Sequence, residues 1–282
     1  MKAGFWVAPE GEEAALTVQA IDPEAPVTAK RSAFLATQEA AELIRRCPRT
    51  AELMPRLVKA LAEQHASERG QLFDITDWSE EERKLISEAL GEGEVGGVAA
   101  LPNGVTAQIQ ETVLPGLWRV RFTDAIGKEI ADYLEVGALP QAVREAERSG
   151  GSDIVIGAPP AEAMNVMPVL AEVRERMAAY SPGDPAHAIN FTLFPMSPVD
   201  MAFLRATLGV GSVRLVSRGY GYCRVTATAA RHVWSVQFTN SMDAPVLDTL
   251  EIVDAPAVLL AADEDFQDSS VRLAEIEDAY FK

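Results

Sequence analysis

Apolar and polar positions alternate in two rhythms along this chain, and both rhythms come round twice. Across residues 53–64 (LMPRLVKALAEQ) and 167–180 (MPVLAEVRERMAAY) the apolar residues recur at helical spacing, which predicts an amphipathic helix in each place. A short strand follows each helix, QLFDIT (71–76) or AINFTLF (188–194). A second helix then opens at Ser79 or Ser197, with Glu82 or Asp200 three residues on to complete a capping box. Each of these helices stops at a glycine, and several strands follow. In one of them Trp118, Val120 and Phe122 alternate with Arg119 and Arg121, the signature of a strand with one buried face. TDAIGK and TNSMDAP read as hairpin connections, and a last helix is expected near Pro140 and near Pro256.

The recurrence extends to residue identities. LWRVRFTDAIGKEIADYLEVGALP (117–140) lies without a gap over VWSVQFTNSMDAPVLDTLEIVDAP (233–256), with Trp118 on Trp234, Phe122 on Phe238, Asp132 on Asp248 and Glu135 on Glu251. Upstream, Leu-Gly-x-Gly occurs at 90–93 and again at 208–211. These patterns predict an α+β protein made of two tandem similar units by internal duplication, each a mostly antiparallel sheet with flanking helices. The expected division is an N-terminal arm with the start of a helix over 1–45, a first unit over 46–150, and a second over 151–282. SGGSDIVIGAPPAEA (149–163) is expected to link the units, with a short strand at 153–156.

Composition narrows the function. The 282 residues carry a formal charge of −17, which argues against nucleic acid and anionic membranes as partners. No apolar run is long enough to span a bilayer, and the N-terminus does not read as a secretory signal. The expected location is the cytoplasm. Cys47 and Cys223 make no CxxC and are expected to be reduced there. Zinc would need ligands drawn from Cys47, Cys223, His65, His187 and His232, none at ligand spacing, so no metal site is assigned and Cys223 is only a weak candidate. A Cys223–His232 nucleophile pair would need the hairpin to bring them together. Trp118 and Trp234 read as core, and the matched Glu135 and Glu251 as structural.

The second half resembles the C-terminal conserved region of the HupH/HyaF family, the nickel–iron hydrogenase expression/formation proteins. The likeness is carried by PGDPAHAINFTLFPMSPVDMAFL, SRGYGYCRVTAT and VWSVQFTNSMDAPVLDTLEIVDAP. It implies a non-enzymatic, cofactor-free chaperone that holds an immature hydrogenase subunit, chiefly the iron–sulfur small subunit precursor, beside other maturation proteins. The expected partner-binding residues are Arg218, Gly219, Tyr220, Gly221 and Cys223, with Asn240, Met242 and Asp243 next to them. Residues 218–224 are read as a glycine-rich strand open to strand addition, with Tyr220 and Tyr222 on one face and Gly219, Gly221 and Cys223 on the other. Buried packing of Cys223 as a small hydrophobe is the competing reading of that strand, and a metal carrier or small metalloenzyme using Cys223 is the alternative function. Met242 matches Ile126, an apolar residue at each hairpin tip.

Overall fold

Local signals set the helix starts. The Ser79 hydroxyl accepts the Glu82 N–H while the Glu82 carboxylate answers the Ser79 N–H, and Ser197 and Asp200 repeat the arrangement. In the computed structural model, which describes Leu35 and residues 37–281 apart from Tyr220 and Asp243, these boxes open two of the helices. The elements run α1 Gln38–Arg46, α2 Pro48–Glu63, β1 Gln71–Asp74, α3 Glu80–Leu90, β2 Val95–Ala100, β3 Thr106–Glu111, β4 Leu117–Thr123, β5 Glu129–Val136 and α4 Gln141–Arg148. They continue with α5 Val166–Ala179, β6 His187–Asn190, α6 Pro198–Leu208, β7 Val213–Ser217, β8 Tyr222–Ala227, β9 Val233–Thr239, β10 Pro245–Ile252 and α7 Asp263–Tyr280. The class is α+β, and the order helix, strand, helix, four strands, helix occurs twice. Most of the expected N-terminal arm lies outside the described residues.

The chain forms two compact units that do not follow chain order. One takes its described residues from the stretch up to 96 and from 105–141 and 260–281. Its strands pair antiparallel in the order β1-β5-β4-β3. α2 and α7 cover them, and Met54, Leu57, Leu61, Leu117, Phe266 and Leu273 share one core. The other unit takes 97–104 and 142–259. Its strands run antiparallel in the order β7-β8-β9-β10-β6. Val166, Leu170, Val173, Leu204, Leu208 and Leu250 form its core. The last helix of the chain, α7, therefore belongs with strands from the first half, and α4 with strands from the second.

Both tryptophans are buried as the alternation requires, and both indole N–H groups are satisfied. Trp118 Nε1 donates to Gly137 O at 2.9 Å and Trp234 Nε1 to Val253 O at 3.1 Å.

Three local expectations are corrected. Residues 153–156 form no strand: Gly151 instead bridges Ala230, and its N–H donates to Ala229 O at 2.8 Å. After Pro256 only the 3₁₀ turn Ala257–Leu259 forms. The helix waits until Asp263, where Asp265 Oδ2 caps the Ala262 N–H at 2.7 Å. The strand expected over 188–194 is His187–Asn190, because Asn190 Oδ1 accepts the Thr192 N–H at 2.9 Å and turns the chain.

Candidate partner-binding site

Alternation along β8 decides where SRGYGYC points. Tyr222 and Arg224 are exposed, while Cys223 and Val225 are buried on the opposite face. β7 ends at Ser217 and β8 begins only at Tyr222, so Arg218, Gly219 and Gly221 lie outside both strands and the expected strand over 218–224 is corrected to its last three residues. Nor is β8 an open edge. Cys223 pairs with Ser217 on β7 and with Phe238 on β9, which occupies the backbone hydrogen-bonding groups on both sides. Strand addition at this strand is thereby closed.

Gly221 has an internal reason. Its φ is 108°, and a Cβ there would lie 2.8 Å from Thr239 O. Cys223 is 4% exposed, and its thiol is pushed up to about 12 by burial and, secondarily, by the Glu251 charge. Such a thiol stays protonated near neutral pH and is not presented to a partner. His232 lies in the β8–β9 turn, four residues along the strand from the level of Ala227 and Trp234 to that of Cys223 and Phe238, about 13 Å at strand rise. The two do not form a pair. His232 instead takes a left-handed φ of 63° and packs against Tyr180 with ring centroids 4.9 Å apart and planes tilted by 43°, its Nδ1 3.3 Å from Asp254 Oδ1. His187 Nε2 meets Glu172 Oε1 at 2.7 Å. Glu135 Oε1 accepts the Gln141 N–H at 2.9 Å and Glu251 accepts the Thr249 hydroxyl at 3.2 Å, both structural roles. Among the described residues no three His, Cys, Asp or Glu side chains form a metal-binding group.

The remaining candidates meet at one end of this sheet. Asn240 Oδ1 accepts the N–H groups of Met242 at 2.9 Å and Ala244 at 3.0 Å, which shapes the β9–β10 turn and leaves Met242 81% exposed at its tip. Thr239 stands opposite both Tyr222 and Pro245, so this turn lies beside Gly221 and the loop carrying Arg218 and Gly219. Tyr220 and Asp243 lie outside the described residues. In the other unit Asp124 Oδ1 accepts the N–H groups of Ile126 and Lys128 in the same way, with Ile126 at the tip.

Two functional candidates escaped the sequence reading. Leu193 is 83% exposed, and Phe194 beside it 39%. Their loop is tied to β10 by Phe191 N–H to Asp248 O at 2.8 Å and Asp248 N–H to Thr192 Oγ1 at 3.0 Å, close to the exposed Val246. The available signal was an insertion: FTLFPMS stands where the first half has ITDWS, in which Asp77 bonds Arg49 at 2.8 Å and Trp78 is buried.

A family model described as the HupH hydrogenase expression protein, C-terminal conserved region, matches residues 50–150 and again 163–280. The chain is 61% identical to the hydrogenase expression/formation protein HupH of Rhizobium leguminosarum bv. viciae over 100% of both chains. It is 44% identical to HoxQ of Cupriavidus necator over 70% of this chain and 69% of that one, and 34% identical to the hydrogenase-1 operon protein HyaF of Escherichia coli over 72% and 71%. A solved HupH from Thiobacillus denitrificans aligns with 39% of this chain and 92% of its own, at 25% identity and a TM-score of 0.37. By the family model and by the identities to HupH of Rhizobium leguminosarum, HoxQ and HyaF, the chain belongs to the HupH family of hydrogenase expression/formation proteins.

Proposed function

We propose that the protein is a non-enzymatic, cytoplasmic assembly chaperone that holds an immature nickel–iron hydrogenase subunit, the iron–sulfur small subunit precursor, during maturation. The family membership supports the maturation role. The observation that carries the holding role is the apolar tip of the second-half unit, where Met242, Leu193, Phe194 and Val246 stand exposed around one sheet end. Exposed apolar residues gathered in one place mark interaction sites, and methionine suits a client that is not yet in its final shape. Arg218, Gly219 and Gly221 supply the adjoining loop and Asn240 the turn that presents Met242, with Tyr220 and Asp243 in the same two segments. Cys223 supports them from the buried face.

The chain is also read as a tandem duplication. The exchange of arginine and serine between matching positions supports this: Ser87 and Arg119 in the first half stand where Arg205 and Ser235 stand in the second. Only the second half acquired the apolar loop.

The test is co-purification of the tagged protein with the small subunit precursor from cells making hydrogenase. Wild type retains the precursor, and Leu193→Asp/Met242→Asp loses it while remaining folded. Absence of any association, with normal hydrogenase maturation in a deletion strain, ends the proposal.

A further inference from the structure

Two helices open on the same capping box and then diverge on the side turned to solvent. On α3 the outer positions are Glu80, Glu81, Lys84 and Glu88, with Glu92 just beyond the helix. At the matching places α6 carries Pro198, Val199, Ala202 and Ala206, with Val210 just beyond. Pro198, Ala202, Ala206 and Val210 are exposed, and Val199 is half-buried. A helix that is apolar on its outer as well as its inner side is one that meets something on both. The first half shows what meets that side. There α1 packs on α3, and Leu43 and Cys47 close over Leu85, which is fully buried. Arg46 of α1 reaches Glu81 at 3.0 Å. In the second half Phe203 takes the place of Leu85 and stays half-buried, and Val199 takes the place of Glu81. Residues 151–159 stand before Met167 as α1 stands before Met54, and they build no helix: Gly151 bridges Ala230, and Val155 is 90% exposed. α6 therefore keeps the seat of a covering helix, lined with apolar residues, and the matching segment supplies none.

We propose that the outer face of α6, formed by Val199, Ala202, Phe203, Ala206 and Val210, receives a short helix of a protein partner whose contacting stripe is apolar. The inference rests on the chaperone reading and names the chemistry of the client segment. The exposed loop of Leu193 and Phe194 leads directly into the Ser197 cap, which places it at the start of this face. Where α1 brings Arg46 to Glu81, a helix seated on Val199 meets no charge, and a charged side chain there would be buried without a partner. The stripe is therefore leucine- or methionine-like at helical spacing, the helix-in-groove mode of recognition. A second copy of this chain suits the face less: a stable interface engages about 20–30 residues a side, and α6 is 11 residues long. Helices that lie on lipid flank their apolar side with lysine and arginine, and α6 has one such residue, Arg205.

The probe is a fluorescein-labelled peptide of alanine, glutamine and leucine with its leucines at helical spacing, read by anisotropy. The control has the same composition with its leucines alternating. The helical peptide binds, the control binds about tenfold more weakly or not at all, and salt changes neither. Ala202→Lys/Ala206→Glu puts the first half's residues on this face and weakens binding about tenfold or more, whereas Ala178→Glu on α5 leaves it unchanged. Both altered positions are exposed. Val210→Glu, beyond the helix, gives a loss in the same direction and carries the test if the double variant fails to fold. Equal binding of the two peptides, binding unchanged by these substitutions, or binding lost at high salt overturns the inference. So does a dimer in sedimentation that Ala202→Lys/Ala206→Glu dissociates, tighter binding of a labelled peptide of residues 1–34, or uptake by phosphatidylcholine vesicles through the same face. Precursor capture that persists in Ala202→Lys/Ala206→Glu also overturns it, while leaving the chaperone reading intact. Peptide binding at this face without precursor capture sustains the inference and removes that reading.

Discussion

Arg119 grips Asp132 by two parallel bonds, Nε to Oδ1 at 3.0 Å and Nη2 to Oδ2 at 2.6 Å, and Asp132 is fully buried. Arg83 stands 3.6 Å away on the other side, and Ser87 on α3 accepts from Arg119. Removing one partner of a buried pair strands the other charge. Arg119→Ser is expected to cost about 3–5 kcal/mol in urea unfolding. The matching positions in the second half put the arginine on the helix and the serine on the strand. Adding Ser87→Arg to Arg119→Ser is therefore expected to recover part of the loss, a coupling that a double-mutant cycle measures directly.

Cys223 should be chemically silent in the folded protein. Burial and the Glu251 charge keep its thiol protonated, so iodoacetamide at pH 8 leaves it unmodified by mass spectrometry until denaturant is added. Cys223→Ala should leave precursor capture unchanged and lower stability by about 1 kcal/mol.

Asp200 ties two helices together. Its Oδ1 accepts the N–H groups of Met164 at 2.8 Å, Asn165 at 3.0 Å and Val166 at 3.2 Å, and its Oδ2 accepts from the Ser197 hydroxyl at 2.7 Å and N–H at 3.0 Å. Burial pushes the carboxyl up, but these bonds outweigh it and hold the group down at about 2, against an ordinary 3.8. The folded value lies below the unfolded one. The stabilisation is therefore complete above pH 3.8 and is lost as pH falls from there towards 2. Acid unfolding of Asp200→Asn should lack about 1–2 kcal/mol of that pH dependence.

Glu111 gives the opposite slope. Burial raises its carboxyl to about 7 from an ordinary 4.5, although the Val95 and Gly116 N–H groups pull it down. The folded state then holds a proton that the unfolded state releases, and stability falls as pH rises from 4.5 through 7. Glu111→Gln should flatten this slope and raise stability at pH 8 by about 1–3 kcal/mol, read from urea midpoints at pH 5 and pH 8.

Gly116 has a φ of 82°, and a Cβ there would stand 2.4 Å from Phe266 Cε1. Gly116→Ala strains the backbone and pushes α7 off its seat, for about 2–4 kcal/mol in thermal or urea unfolding.

What the sequence made legible was local. The serine caps, the helix-stopping glycines and the alternation around Trp118 and Trp234 each depend on a few neighbouring residues, and each appears in the fold. Strand order depends on pairing between distant segments. Nothing in SRGYGYC could tell that β7 and β9 would flank it and bury Cys223. The glycine that suggested close approach of a partner backbone instead avoids Thr239 of the same hairpin. Leu193 and Phe194 looked like strand continuation because apolar runs suit strands, and only the Asn190 turn separates them from β6.

The seating of α7 has a consequence for biosynthesis. Phe266 and Leu273 complete a core whose other walls, Met54, Leu57 and Leu117, were translated long before. That unit stays unsealed on the ribosome until α7 emerges, so a chain stopped before Phe266 displays its gap and is open to proteolysis. A chain that lacks Phe266 and Leu273 cannot close this core.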